Sequence, residues 1–315
     1  ILSFAFNFRA GPNTADLLGS AFVEKGYVKF FEFPHAIENI SVDLLFNQRK
    51  ILFNTMRAEL GGGRVTGSGA MELLGYKNYP VNLTGQFERV TLNVPENVRT
   101  SGSGEISLTG KWFPFLLKVD YRVNDGLLTK EFGGETSEED TLRRDQFLPE
   151  ILLQERFTPI IVDLNIDFSR GIQAKNELID GRIRGQLSVK GNPAKPSLLG
   201  TVTMNKGSRI IVKDTEFDVT TANIQFTDPN DLNPRLYVAA QARVQEYDIS
   251  LLIQGTASKP ELSFSSVPQL SEKEIISLLA LGTTDTGNTL IKTGQPTGTT
   301  NAPQISAGAL KNNPL

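Results

Sequence analysis

Two carboxylates in the middle of the chain have a spacing that could bind a cation. Asp163 and Asp167 alternate with apolar residues and are four positions apart, so both point to the same face of a strand. Oxygen ligands of this kind suit hard cations such as Ca²⁺. The same alternation is typical of a solvated outer face, and that interpretation is favoured.

Two further segments have the composition of ligand-binding loops without their order. Residues 228–234, Asp-Pro-Asn-Asp-Leu-Asn-Pro, lack the twelve-residue spacing of an EF-hand and predict a hairpin loop. The glycine-rich stretch 61–67 opens no helix, whereas a phosphate loop needs a helix N-terminus. Ser68 and Ser103 each lie between two glycines, which is not the Gly-x-Ser-x-Gly nucleophile elbow.

The chain has almost no residues for histidine or cysteine chemistry. The chain contains one histidine, His35, and no cysteine. These counts exclude disulfides, thiol catalysis and any metal site within the chain that needs several histidines or cysteines. His35 follows a proline and is predicted to be a turn residue. We therefore expect no catalytic residue, no metal and no cofactor, and we do not expect an enzyme.

Composition limits the remaining classes. The net charge of −3 argues against nucleic-acid binding, which usually needs a basic stripe. The 39% hydrophobic content is that of a folded protein, and 28 glycines favour strands and turns over helices.

Period-two alternation is the main pattern of the chain. It occurs at 117–123, 162–168, 183–189 and 238–244, where apolar and polar residues alternate. Each such strand has one apolar face and one polar face that is exposed to solvent. This predicts an antiparallel sheet that is solvated on one side.

A repeated unit extends this sheet. Residues 104–110 and 185–191 share the pattern Gly-x5-Gly, and Pro114 and Pro196 follow them closely. The unit reads as a strand, a glycine turn, a short proline loop and a returning strand. Repeated hairpins of this kind predict a sheet that grows along one axis.

Two segments interrupt the strands. Residues 135–157 are charged and predict a helical or loop insertion, which covers an edge or groove mouth or binds a partner. Residues 270–282 predict a helix, since Ser271 and Glu274 form a capping box and Gly282 ends it. The helix either packs on the end of the sheet or contacts a membrane or barrel partner. Its candidate contact residues are Ile275, Ile276, Leu278 and Leu279.

The termini indicate part of a longer chain. The first residues have no initiator Met and no basic region of a signal sequence. No apolar run reaches the roughly 18 residues of a membrane helix. We expect an anchor upstream, and we expect residues 283–315, rich in Thr, Gly, Asn and Pro, to be a flexible tail.

A sheet with one apolar face and almost no helices can remove that face from water in two ways. A second sheet covers it in a sandwich, or the sheet curls into a U whose open interior binds lipid tails. Alternation alone does not choose between them.

Residues 160–282 resemble the C-terminal region of the TamB family. The resemblance rests on the order and spacing of these stretches: 185–191, 204–207, 217–226, 233–242, 247–255 and 262–282. Residues 1–134 resemble the upstream groove repeats of that family less specifically. The chain departs from the pattern after Gly282, where further β segments are replaced by the tail.

The resemblance implies an all-β fold: an elongated, U-shaped β-taco groove of repeated antiparallel hairpins, with one short C-terminal helix and one helical or loop insertion. It divides the chain into groove repeats (1–134), the insertion (135–157), the TamB-like groove (158–269), the helix (270–282) and the tail (283–315).

It also implies a periplasmic protein anchored in the inner membrane and reaching the outer one. Expected partners are phospholipid acyl chains and an outer-membrane assembly barrel, TamA or BamA, with membrane contact through parts outside this sequence. The implied roles are phospholipid transport and support of outer-membrane protein assembly or secretion. The residues expected to line the lipid groove are Val162, Leu164, Ile166, Phe168, Leu187, Val189, Val202, Met204, Phe217, Val219, Ile224, Phe226, Val238, Ile249, Leu251, Ile253 and Phe264.

Two other functions remain open at this point. A scaffold for barrel assembly would use exposed strand edges without moving lipid. A β-solenoid or sandwich module would have an interior filled with its own side chains.

Overall fold

The structure, a computed structural model, describes residues 2–11, 14–29, 33–129, 158–193 and 195–284, with the backbone alone for residues 2–17. The predicted insertion at 135–157 and nearly all of the predicted tail lie outside the described residues.

Seventeen strands of the described residues form one sheet. The upstream strands are β1 Leu2–Gly11, β2 Thr14–Lys29, β3 Ala36–Gln48, β4 Lys50–Leu60, β5 Gly63–Glu72, β6 Val81–Asn93, β7 Val98–Gly110 and β8 Phe115–Leu128. The downstream strands are β9 Ile160–Asp167, β10 Ile172–Lys175, β11 Ile179–Asn192, β12 Lys195–Met204, β13 Arg209–Val212, β14 Thr215–Phe226, β15 Arg235–Val244, β16 Tyr247–Thr256 and β17 Lys259–Val267. One helix, α1 Glu272–Leu281, follows them.

The strands follow one another in chain order across the sheet. From β1 to β8 each strand pairs antiparallel with the next. From β14 to β17 the same arrangement returns. The predicted all-β sheet of antiparallel hairpins is therefore confirmed for both halves of the chain.

The junction between the halves is parallel, which hairpin repeats alone do not predict. Phe115 lies beside Ile160 and Leu117 beside Val162, so β8 and β9 run in the same direction. Parallel neighbours need a crossover connection of roughly a dozen residues or more. The chain between Leu128 and Ile160 is long enough to supply it.

Two rows of the sheet are each made of two short strands. β9 and β10 together occupy the row between β8 and β11. β12 and β13 together occupy the row between β11 and β14. The ladder of paired strands therefore continues across both interruptions.

The repeated glycine unit has the same structure at both sites. A Cβ on Gly104 would lie 2.7 Å from Cζ of Phe87, and a Cβ on Gly185 would lie 2.7 Å from Cζ of Phe168. The first glycine of each unit thus makes room for an aromatic ring. The second glycines, Gly110 and Gly191, have φ angles of 147° and 100°, which an L-residue rarely adopts.

The predicted helix ends are confirmed. The Ser271 side chain accepts from the Glu274 N–H, and Oε2 of Glu274 accepts from the Ser271 N–H at 2.7 Å. Gly282 has a φ of 71° and donates its N–H to the Leu278 carbonyl. This is the capping box and left-handed stop that the sequence predicted.

Buried side chains form two clusters on the same side of the sheet. The first lies around Tyr121 and Phe168, where β6 to β11 meet. The second lies around Phe217, Ile249 and Leu251 and includes residues of α1. The side chains between these clusters are only half-buried.

Candidate functional site

One continuous apolar face contains all seventeen predicted lining residues. Side chains at directly paired positions of neighbouring strands point to the same side of a sheet. Leu187 pairs with Ile166, Val202 with Ile224, and Leu251 with Phe264. The remaining pairings of β9 to β17 extend this face to the other predicted positions, and the ring of Phe168 lies over Gly185.

The face divides into two stretches by burial. In the open stretch the side chains are half-buried: Val162, Leu164, Ile166, Leu187, Val189 and Val202. All of these except Val162 and Val189 also pack against the first cluster. In the covered stretch they are buried: Phe217, Val219, Val238, Ile249, Leu251 and Ile253. Phe168 is also buried, at the first cluster, whereas Met204, Ile224, Phe226 and Phe264 are half-buried around the covered stretch.

The helix accounts for the covered stretch. Ile275, Leu278 and Leu279 are buried in one cluster with it, and Ile275 has no exposed surface. Of the four helix positions predicted as candidate contacts for a membrane or partner, these three pack on the sheet instead. Ile276 is 43% exposed and is the member of the set that faces away.

All seventeen described strands belong to one hydrogen-bonded sheet. A sandwich needs two sheets that face each other, and the described strands contain no separate second sheet. The described residues therefore form an elongated all-β groove with a short helix at its C-terminal end.

The apolar face also continues upstream, beyond the residues that the sequence singled out. Leu117 lies beside Val162, Leu108 beside Leu117, and Leu83 beside Leu108. All three upstream side chains are half-buried. Alternation at 117–123 already indicated one apolar face there, but only strand register shows that it is the same face.

The two aspartates considered for cation binding have other partners. Oδ1 of Asp163 lies 3.3 Å from Nζ of Lys190. Hydrogen bonds from the hydroxyl and then the N–H of Ser169 lower the pKa of Asp167. Among the residues that the structure describes, no group of three His, Cys, Asp or Glu side chains is placed to hold a metal ion.

The remaining candidate residues take part in turns. Asp228 and Asp231 each accept a backbone N–H from two residues ahead, from Asn230 and Asn233. Nε2 of His35 accepts the N–H of Asn93 at 2.8 Å. The imidazole thereby holds the turn before β3 against the end of β6.

The opposite face of the sheet is polar. A shallow depression of about 660 Å³ lies there and is lined by Thr66, Gln86, Glu105, Asp120 and neighbouring residues. Asp120 accepts from Nδ2 of Asn165 at 2.8 Å. Side chains of this face pair with one another across strands, as expected of a solvated surface.

Comparison with known families identifies the fold. A family model described as the TamB C-terminal domain matches residues 54–313, well over half of the chain. The chain belongs to the TamB family. A comparison with curated proteins found no significant match.

Membership places the chain in a family that acts in outer-membrane protein assembly and secretion, and it implies an envelope location. The match includes most of β4 and all of β5 to β8, which the residue motifs alone connected to TamB less specifically. It also includes the Thr, Gly, Asn and Pro-rich residues after Gly282. Within the described ranges, no helix has the length and hydropathy needed to cross a bilayer.

Proposed function

We propose that the open stretch of the apolar face carries the acyl chains of phospholipids along the groove. The observation that supports this is a row of half-buried apolar side chains in a single sheet, beyond the part that the helix covers. Folded proteins rarely leave apolar surface of this extent in water without a partner for it.

The chemistry of the open stretch suits a sliding ligand. Between Ile160 and Met204, every position that register places on this face is apolar or glycine. Each methylene removed from water contributes about 0.8 kcal/mol. Acyl chains would therefore be held along the whole stretch, while no polar group fixes them at one point.

The family supports a position between the two membranes. We propose that the chain lies in the periplasm, is anchored in the inner membrane by a segment outside this sequence, and works with an outer-membrane barrel such as TamA or BamA. Lipid moved along the groove would supply the membrane into which that barrel inserts its clients.

A scaffold for protein assembly is the second candidate, and one observation favours it. β17 pairs only with β16 among the described residues. An edge strand whose far side is unpaired can add a strand of another protein by backbone hydrogen bonds.

Substitution of the open stretch tests the conduit. Leu164→Asp, Leu187→Asp and Val202→Asp, combined, place charges in the path of the acyl chains and lie outside the helix-covered core. All three pack against the first cluster, so circular dichroism must show that the variant is folded. Gln186→Asp with Thr203→Asp is the matched control, since both residues lie on the polar face of the same two strands. We expect the first set to abolish phospholipid movement between the membranes and the control set to retain it.

Two outcomes would overturn this proposal. Normal lipid movement in the triple variant, with the protein folded, excludes the groove as the path. Photo-crosslinkers at Leu187 and Val202 that give only protein adducts, with further protein adducts along β17, would favour the scaffold instead.

A further inference from the structure

Two loops at one end of the strands carry five aromatic and aliphatic side chains, some exposed and some half-buried, which we call the aromatic rim: Leu74, Tyr76, Tyr79, Trp112 and Phe113. Tyr76 is 84% exposed, Leu74 46% and Phe113 40%. The rim lies on the two loops that connect β5 to β6 and β7 to β8. Neither loop contributes to the two buried clusters.

Contacts between its two loops hold the rim in a defined arrangement. The N–H of Tyr79 donates to the carbonyl of Lys111 at 2.7 Å and joins the two loops. The ring centroids of Tyr79 and Trp112 are 5.4 Å apart, and those of Trp112 and Phe113 are 5.0 Å apart. Ring pairs at this separation stabilise a defined arrangement.

The ring series leads from the surface onto the apolar face. Phe113 contacts Phe115 with centroids 5.1 Å apart. Phe115 pairs with Ile160, and Leu117 pairs with Val162, the first residue of the open stretch. An acyl chain leaving a bilayer at the rim would thus meet apolar side chains without a break.

The two loops of the rim carry positive charge although the chain carries −3 overall. Residues 73–80 and 110–115 contain Lys77 and Lys111 and neither Asp nor Glu. Nζ of Lys77 lies 5.2 Å from the centre of the Tyr76 ring. Trp and Tyr beside lysines are the side chains that favour the interface of a membrane with anionic lipids.

We propose that the aromatic rim docks the groove on an anionic bilayer surface. Tyr and Trp rings have an apolar body and a polar edge, so they are suited to the level of the lipid headgroups. The two lysines contact the anionic headgroups. The family resemblance implied membrane contact through parts outside this sequence, and the rim adds a contact within it. Docking does not depend on lipid transport along the groove.

The tryptophan at the rim makes docking directly measurable. Trp112 is the only tryptophan of the chain, so its emission reports on this site alone. With vesicles of phosphatidylglycerol and phosphatidylethanolamine we expect a blue shift, quenching by brominated lipid, and co-sedimentation that weakens as salt is raised. Vesicles of phosphatidylcholine alone should bind much more weakly.

Surface variants separate docking from folding. Lys77→Gln and Lys111→Gln should each weaken vesicle binding about fivefold, and Tyr76→Ser with Phe113→Ser should weaken it at least about tenfold. Leu232→Ser with Tyr237→Ser is the control, since these residues are similarly exposed, at 54% and 49%, but lie away from the rim. It should bind like the wild type.

Four results would overturn the proposal. The first is that the wild type binds neither vesicle, and the second is that the rim variants bind as well as the wild type. Alternatively, light scattering shows a dimer that the rim variants dissociate, which would make the rim a contact between copies. Leu187→Asp tests whether groove uptake mimics docking: it should keep vesicle binding, and loss of binding in this variant but not in the rim variants would also refute docking.

Discussion

Nε2 of Gln245 donates a hydrogen bond to the carbonyl of Gly282 at 2.8 Å. Gln245 lies in the turn between β15 and β16, and Gly282 ends α1. At the other end of the helix, the N–H of Leu270 donates to Oγ of Ser266 in β17 at 2.9 Å. Both ends of the helix are therefore tied to the sheet that it covers, and the covered stretch is a defined packing.

The helix cover predicts contrasting effects for two adjacent isoleucines. Ile275→Ala should lower the free energy of unfolding by about 2–5 kcal/mol, because it leaves a cavity under the helix. Ile276→Ala, at a side chain 43% exposed, should change it by less than about 0.5 kcal/mol. Urea denaturation of both variants measures this, and equal effects would refute the packing.

The helix cap predicts a dependence on acidity. Hydrogen bonds from the side chain and then the N–H of Ser271 lower the pKa of Glu274 below its usual value of 4.5. A carboxyl whose folded-state pKa is lowered stabilises the fold above its unfolded pKa, and this is lost as pH falls through the folded pKa. The protection factors of the α1 amides, which correct exchange rates for their intrinsic pH dependence, should therefore decrease as the pH falls below about 4.5.

Ser271→Ala is the matched test of this cap. It should cost about 1 kcal/mol at neutral pH, and it should remove most of the acid-dependent change in α1 protection. An unchanged acid response in this variant would show that the cap is not its source.

A buried tyrosine predicts a change at alkaline pH. Burial raises the pKa of Tyr121 above 10.0, and the hydrogen bond with Thr100 partly opposes this. The stability that burial of the neutral phenol provides is present below the unfolded pKa and is lost as pH rises through the folded pKa. In an absorbance titration, one tyrosine should deprotonate at a higher pH than the others. This step should be absent in Tyr121→Phe.

The hydroxyl of Tyr121 predicts a measurable energetic coupling between Tyr121 and Thr100. It lies 3.1 Å from Oγ1 of Thr100 and 3.4 Å from the carbonyl of Val90. Tyr121→Phe should cost about 0.5–1.5 kcal/mol, and Thr100→Val a similar amount. The double variant should cost less than their sum, because each single change already breaks the shared bond. Strict additivity would exclude the coupling.

The two stretches of the apolar face predict different crosslinks. A photo-crosslinker at Leu187, which is half-buried, should give lipid adducts. One at Leu251, which is 1% exposed, should react with peptides of α1 instead. Mass spectrometry of the adducts distinguishes the two. Lipid at both positions would show that the helix leaves the covered stretch during transport.

Much of this fold was predictable from residues that are close in the chain. Alternation at 162–168 predicted a strand with one apolar face, and Ser271, Glu274 and Gly282 predicted the helix ends. Such signals need only local geometry, since a side chain alternates faces every second residue and a cap satisfies the nearest backbone groups. The family was recognisable from the same stretches.

The parallel junction and the aromatic rim were not predictable in this way. Phe115 and Ile160 meet only because β9 starts beside the start of β8. Tyr79 and Trp112 meet because two loops that are far apart in sequence end at the same side of the sheet. Neither contact is reflected in a periodic pattern or a motif of the sequence.

The sequence by itself determined the strands, their apolar face and the capped helix, because each depends on neighbours within a few residues. The tertiary structure decided how far that face is buried: α1 packs over Leu251, whereas Leu187 stays half-buried. Alternation specifies which side chains turn inward, but covering them depends on contacts between distant parts of the chain. That difference separates a filled interior from a groove.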